Sequence, residues 1–242
     1  MTSGASVRPA GVLRGALAIL QRHPRRVIGA GAVVFGATAV VDVGVARLYE
    51  QADAAHPLLL VVVVMGTGLS LLGSTFYAGL LDRVVAEEER GMERRSLGHI
   101  LRTLPYVRLI AADVLLTVGT IVLGAALLVP GLVFLTYFCL VGPVINMEDH
   151  GVVDAFRRSA RLVRGHFRLV FLLVTLPILL EEQVMHTVEF LVHGEPALGV
   201  FAVNATVGAV VGSVVGLTEV TLAHRLAVHA PLAKAPVRLA PL

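Results

Sequence analysis

Six long apolar stretches with almost no charge constrain this sequence more than any other feature. They cover residues 27–46, 58–81, 106–128, 131–147, 167–191 and 198–223. A helix of about 20 apolar residues crosses a hydrocarbon core roughly 30 Å thick. Hydrophobic residues make up 56% of the chain and charged residues only 15%, against roughly 25% in soluble domains. The sequence therefore predicts an all-α membrane protein with six transmembrane helices rather than an ordinary soluble domain.

The positive charges predict the orientation of these spans. Of the 20 Lys and Arg residues, all except Arg47 fall in the lead, at or between spans 2 and 3, at or between spans 4 and 5, or after span 6. Lys and Arg are retained on the cytoplasmic side of short loops. We therefore expect a multi-pass protein of the bacterial inner (plasma) membrane, with both termini cytoplasmic and its cations facing the anionic inner leaflet rather than nucleic acid.

The domain plan that follows has three parts. Residues 1–26 form a basic amphipathic lead, 27–223 the transmembrane domain and 224–242 a cytoplasmic tail. No small-residue cleavage pattern follows the first apolar run, so we expect a retained anchor rather than a removed signal peptide. The basic segments 16–30, 97–111 and 160–174 resemble one another. They predict three repeats of an interfacial amphipathic helix followed by a transmembrane hairpin.

The segment 151–165 is the clearest amphipathic helix. Val152, Phe156, Ala160 and Val163 recur at helical spacing, which predicts that they share one face. Five charged residues occupy the remaining positions: Asp154, Arg157, Arg158, Arg161 and Arg164. Such a helix lies in the headgroup plane, where each arginine gains about 1 kcal/mol near an anionic surface. A loop helix packed beneath the bundle is the compatible alternative.

Turn and packing signals divide the hairpins. Pro130-Gly131 predicts the turn between spans 3 and 4, and residues 194–196 the turn between spans 5 and 6. Gly208, Gly212 and Gly216 form a doubled G-x-x-x-G in span 6, which predicts close helix packing. The mixed-charge stretch 87–95 predicts a solvated surface helix with a break at Gly91.

Charged and histidine residues inside the spans are the functional candidates, because each charge costs roughly 2.5–3.5 kcal/mol or more in the bilayer. Counting along the helices places Asp42 and Glu182 in the outer half of the membrane, and Asp113 and Glu219 in the inner half. The other candidates are Glu181, Glu189, His186, His193 and His224.

The densest group lies on span 5. Glu182, His186, Glu189 and His193 share one helical face at spacings of 4, 3 and 4. With Asp42 they suggest a proton or polar-substrate site, and carboxylate with imidazole also suits a divalent metal. A single helix rarely supplies more than two or three ligands to one ion, because successive turns are about 5.4 Å apart. The alternative is that Pro177 breaks the span and residues 181–193 form an amphipathic cap at the outer interface.

The junction of spans 4 and 5 carries a motif of known appearance. An apolar span ends in Pro143 and Glu148, and the motif continues through Gly151, Ala155, Arg158, Ser159, Leu162 and Gly165. This resembles the glycerophosphodiester phosphodiesterase membrane-domain family and its stand-alone bacterial relatives of unknown function. The resemblance implies a membrane module without the phosphodiesterase domain, so it brings no catalytic residue and no cofactor. We expect Glu148 to pair with Arg157 or Arg158.

Two functions remain open at this stage. No G-x-S-x-G elbow or phosphate-binding loop is present in the sequence, which favours a non-enzymatic membrane protein. It would bind lipid or an apolar small molecule, or assist a partner membrane protein or a second copy in transport. The alternative is a small transporter or intramembrane metalloenzyme centred on the span 5 cluster.

Overall fold

The fold was analysed in a computed structural model. It describes residues 7–51, 57–91, 96–191 and 197–229; the backbone alone is described at 41–43, 45–51, 57–72, 74, 97, 101, 181–182, 185–186, 188–191, 197–198, 200 and 203–204. Every regular element in these ranges is helical. The all-α prediction is therefore confirmed.

The described part of the chain forms twelve α-helices of 4 to 34 residues. They are α1 (Pro9–Arg22), α2 (Pro24–Gln51), α3 (Pro57–Arg90), α4 (Leu97–Thr103), α5 (Tyr106–Ala126), α6 (Leu128–Phe138), α7 (Val141–Glu148), α8 (Val152–Arg164), α9 (Phe167–Val170), α10 (Leu176–Leu191), α11 (Ala197–Val207) and α12 (Ser213–His229). Wider π-helical turns at Phe171–Thr175 and Gly208–Gly212 join α9 to α10 and α11 to α12. Each of the six predicted spans is thus mainly helical, with breaks at Leu127 in the third and at Cys139 and Leu140 in the fourth.

Three helical segments of the described chain are long and apolar enough to cross a membrane: Tyr106–Ala126, Leu128–Glu148 and Ala205–His229. A fourth candidate is the bent pair Val152–Arg164 and Phe167–Leu180, whose two parts meet at 102°. Only 11% of the apolar window in α5 is buried inside the protein. Its outward side chains are large and apolar, as expected of a helix that faces lipid.

The core is organised around α12. Ten of its side chains are buried, and they enter two apolar clusters. Leu222, Ala223 and Leu226 pack with residues of α5, α7 and α8, while Leu217 and Val220 pack with α1, α2 and α3. A helix buried on several faces must satisfy its polar groups internally, and α12 carries both Glu219 and His224 into the protein.

Ion pairs collect at one end of the bundle. The end of α3 carries Glu87, Glu88 and Glu89, and these carboxylates reach three other helices. Glu87 accepts from Arg26 of α2 at 2.5 Å, Glu88 from Arg22 of α1 at 2.9 Å, and Glu89 from Arg225 of α12 at 2.7 Å. The prediction of a solvated surface helix for 87–95 differs from the structure at Glu87, whose side chain is only 6% exposed, whereas Glu89 and Arg90 are exposed and residues 92–95 lie outside the described residues. The break at Gly91 is present, with a φ of +63° just after α3 ends.

Two predicted helix ends differ from the structure. The turn between the third and fourth predicted spans lies at Leu127 and not at Pro130-Gly131, because Pro130 fits the first turn of α6, where its missing N–H is not needed. Pro177 does not end a helix, since α10 runs through it to Leu191. The π-helical turn immediately before it is the kind of local widening that relieves the proline ring clash.

The buried face of α8 is rotated from the predicted one. Its centre is Ala155, Ser159 and Leu162, whereas Phe156 and Ala160 are only partly buried. The helix packs against α6 and α7, and the Ser159 hydroxyl donates to the Tyr137 carbonyl at 2.8 Å. Arg158 lies on this buried face, so helical spacing of apolar residues alone assigned it to the wrong side.

Candidate functional site

A cavity enclosed by six helices is the strongest site candidate. It has a volume of about 660 Å³ and mostly apolar walls formed by α3, α5, α6, α7, α10 and α12. Ala78, Thr117 and Ile121 on its wall are exposed at the protein surface. The cavity therefore opens between α3 and α5, beside the helix that is least covered by protein. Its volume is in the range of small-molecule sites.

Two carboxylates lie on the wall of this cavity. Asp113 comes from α5 and Glu219 from α12. The other described residues of the wall are apolar, hydroxyl, amide or thiol side chains, so the wall carries no Lys, Arg or His. An acidic pair without a cation on an apolar wall is costly in a membrane.

Polar atoms without partners mark the same cavity. The side-chain oxygens of Thr120 (Oγ1) and Asn146 (Oδ1) are buried and have no hydrogen-bond partner within the described residues. Buried polar groups are normally paired because an unpaired one costs about 1–3 kcal/mol. A ligand or a water molecule in the cavity would supply the hydrogen bonds that these two atoms lack. The single cysteine, Cys139, also lies on this wall and is buried.

A second, smaller cavity of about 200 Å³ adjoins the first. Asn146 lines both, and the small cavity is otherwise bounded by Asp82, Arg83, Arg90 and His224 among others. The Nε2 atom of His224 lies 2.7 Å from Oδ1 of Asp82. The His224 side chain is 1% exposed, and its Nδ1 has no partner in the described part of the chain. An apolar chamber and a polar one thus meet at Asn146.

The site residues predicted on span 5 and span 1 cannot be placed. Asp42 lies in α2, and Glu182, His186 and Glu189 lie in α10, but their side chains are outside the described residues, as is His193 altogether. Among the side chains that are described, no group of three or more His, Cys, Asp or Glu residues could hold a metal ion. The proton, substrate or metal site at this cluster stays a prediction.

The motif at the junction of spans 4 and 5 folds into a buried ion pair. The Nε of Arg158 donates to both oxygens of Glu148, at 3.2 and 3.0 Å, and a terminal nitrogen donates to Oε1 at 3.0 Å. Arg157, the other predicted partner, is 73% exposed and contacts Asp154 at 3.5 Å. Gly151 and Gly165 flank α8 with ordinary backbone angles and open space at the Cβ position. Nothing in the structure explains why these two positions are glycine.

The glycines predicted to pack α12 contact side chains rather than a helix backbone. A Cβ atom at Gly208 would lie 3.1 Å from the ring of Phe35 in α2, and one at Gly216 would lie 2.7 Å from Leu81 in α3. Gly212 ends the π-helical turn. Gly208 and Gly216 therefore pack against different helices, α2 and α3.

Sequence reasoning missed Asp82 and the glutamates of α3 as interior groups. Asp82 follows directly on a predicted span, and its proximity to His224 depends on the crossing of α3 and α12. The ion pairs of the glutamates could have been predicted from the run of three consecutive acidic residues, because arginines occur at the same predicted end of several other spans. His23, at 2.6 Å, and Arg22 hold the pKa of Glu88 below its usual range by hydrogen bonding to the carboxylate.

The fold and the cavity define a class: a helical membrane protein with an internal chamber of ligand size. Residues 96–230 match the model of a family described as a domain of unknown function, DUF7847. The chain belongs to this family. Neither a curated protein nor a solved structure matches it. The resemblance to the glycerophosphodiester phosphodiesterase membrane domains stays a prediction.

Proposed function

We propose that this protein is a non-enzymatic inner-membrane protein that binds a lipid or another amphipathic small molecule in its large cavity. The observation that carries the proposal is the opening of an apolar chamber between α3 and α5. The side chains around the opening, Ala78, Thr117 and Ile121, are exposed where α5 is least covered by protein. A hydrophobic molecule dissolved in the bilayer would enter sideways through this opening.

The neighbouring surface of α5 supports this route. Val114, Leu115, Val118 and Val122 are all exposed by 43–61%. A helix surface of this kind is stable only against lipid or another apolar surface. The ligand would thus pass from hydrocarbon into the cavity without its apolar part crossing water. The polar side chains on the wall of the large cavity, Asp113, Asn146 and Glu219, would meet the polar end of the molecule.

The topology that we propose has six spans in three units, each a short helix followed by a membrane hairpin, with both termini cytoplasmic. Supporting it, α1, α4 and α8 each precede a pair of long helical segments. The ion-paired end of the bundle would face the anionic inner leaflet, as the cation distribution predicts. In a Cys139→Ala background, we expect Arg157→Cys to be labelled from the cytoplasmic side and Leu127→Cys from the outer side. Labelling of both from one side would contradict the topology.

Neighbouring residues of α5 give a matched test of ligand binding. Thr117 lines the cavity mouth, whereas Val118 is 53% exposed on the outer surface and does not line the cavity. We expect the protein purified in lipid nanodiscs to retain a bound amphiphile that native mass spectrometry detects. Thr117→Trp would abolish retention by filling the mouth, and Val118→Trp would leave it intact.

Two results would refute the proposal. One is equal ligand retention in both tryptophan variants, since retention would then not depend on the cavity. The other is the absence of any retained molecule in wild-type protein that is folded by its thermal transition. Metal analysis of the same preparation, with His186→Ala and Glu189→Ala, tests the alternative of a transporter or metalloenzyme at α10. Association with a partner or a second copy stays a prediction.

A further inference from the structure

We propose that the large cavity selects amphiphiles that carry a positive charge, such as a protonated amine or a quaternary ammonium on an apolar body. This inference rests on the proposed function, because it concerns the same cavity. It follows from the placement of Asp113 and Glu219 on the cavity wall. These two acids would provide the charge recognition, and the apolar walls would hold the rest of the ligand.

Both acids lie well inside their helices. Asp113 is seven residues beyond Tyr106, where α5 begins, and Glu219 is ten residues before the end of α12 at His229. At about 1.5 Å per residue these distances correspond to roughly 10 and 15 Å along the helices. Asp113 is therefore remote from the membrane surface along the axis of α5, and Glu219 lies about 6 Å inside the predicted end of its span at residue 223. A carboxylate at such a depth is rare, and its usual explanation is a substrate or ion pathway.

The protein does not neutralise these acids as it neutralises others. No ion pair of Asp113 or Glu219 occurs among the described side chains. Arg83, Arg90 and His224 line the adjoining small cavity and not the large one. The compensating charge for the large cavity is therefore expected to come from the ligand.

The walls distinguish an organic cation from a metal ion. Hard divalent cations require about six to eight oxygen ligands or bound waters. The large cavity offers two carboxylates and a few hydroxyl and amide oxygens on surroundings that are mostly apolar. An ammonium group needs only the carboxylates, and its apolar body gains from the remaining wall. The attraction between an ammonium group and a carboxylate is stronger on an apolar wall than in water, because the local dielectric constant is lower.

Two ions of nearly identical shape and opposite charge test this selection: tetraphenylphosphonium and tetraphenylborate. Equilibrium dialysis would measure their binding to the full chain in nanodiscs, with empty nanodiscs as the background. We expect wild type to bind the phosphonium at least about tenfold more tightly than the borate, the lower range for close charge pairs. Glu219→Gln and Asp113→Asn would each remove most of this preference. Asp154→Asn, an exposed acid of α8, would leave it unchanged.

The outcomes separate the two proposals. Equal binding of both ions to wild type, with both blocked by Thr117→Trp, would overturn charge selection and leave amphiphile binding standing. Binding of neither ion, together with no retained amphiphile, would overturn both. The comparison of the two ions on wild-type protein decides charge selection even if the neutralised variants fail to fold. Binding of either organic ion that occurs only after a divalent metal is added would also overturn charge selection, in favour of a metal site.

Discussion

Removing Arg158 from its pair with Glu148 should be among the costliest single changes in the described chain. The side chains are 5% and 12% exposed, and three hydrogen bonds join them. Breaking a buried ion pair typically costs about 3–5 kcal/mol, because the remaining charge stays desolvated. The Nε2 atom of His150 lies 3.1 Å from Oε2 of Glu148 and gives the carboxylate a second partner. We therefore expect Arg158→Met to cost about 3 kcal/mol, at the lower end of that range.

The neighbouring arginine provides the control. Arg157 is 73% exposed, and its contact with Asp154 is a surface pair. Such pairs contribute about 0–1 kcal/mol, so Arg157→Met should be close to neutral. The same charge is lost from the same helix in both variants. A difference between them therefore reports burial and pairing rather than the net charge of α8.

Cys139 supplies the assay. It is the single cysteine of the chain and is 6% exposed, so a maleimide too large to enter the cavity that it lines, such as one carrying a polyethylene glycol chain, modifies it only when the surrounding helices open. Labelling rates in increasing SDS would give the free energy of opening for each variant. A double-mutant cycle with Glu148→Gln should show a coupling of at least about 1 kcal/mol. Equal labelling of the two arginine variants, or additivity in the cycle, would refute the argument.

Two further predictions concern backbone packing and pH. A Cβ atom at Gly131 would lie 2.7 Å from the Cα of Gly124, whereas one at Gly124 meets nothing within 4 Å. In the thiol-labelling assay, Gly131→Ala should therefore cost about 1–3 kcal/mol and Gly124→Ala almost nothing. A larger cost for Gly124→Ala would contradict the described packing of α5 against α6. The pairing of Glu88 with His23 and Arg22 lowers its pKa from 4.5, so the stability that it adds is complete above about pH 4.5 and is lost as the pH falls through the lowered pKa. The stability difference between wild type and Glu88→Gln should therefore shrink on acidification, and a difference that grows would show that the sign is wrong.

The helices could be predicted from sequence because their signal is local. Uncharged apolar runs require intrahelical hydrogen bonding in a membrane, and each predicted span is mainly helical. The ends were less predictable, since Pro130 and Pro177 are compatible with a helix in the context that the structure provides. The face of α8 was misassigned for a tertiary reason. Arg158 is buried because Glu148, ten residues earlier in the chain, folds back to meet it.

The candidate site could be predicted only in part. Asp113 and Glu219 stand out in the sequence as charges in the inner half of the membrane, because a lone acid in an apolar run is conspicuous. Their convergence on one cavity depends on how α5 and α12 pack, which no local pattern encodes. Asp82 and His224 illustrate the same limit, since 142 positions separate two residues whose side chains are in contact.

Several other acids of this chain are paired with basic side chains, and this contrast supports a ligand-binding role for the large cavity. At the charged end, Glu87, Glu88 and Glu148 each have a basic partner, and even Asp82 in the interior has His224. A sequence able to supply that many partners could have placed an arginine or a histidine on the cavity wall as well. The described wall of the cavity nevertheless carries no basic side chain, although an unpaired charge is most costly there. Groups that weaken the folded protein are retained where they serve binding, and this reasoning predicts that neutralising Glu219 should increase stability while it reduces cation binding. A variant that loses both stability and binding would instead indicate that Glu219 supports the fold.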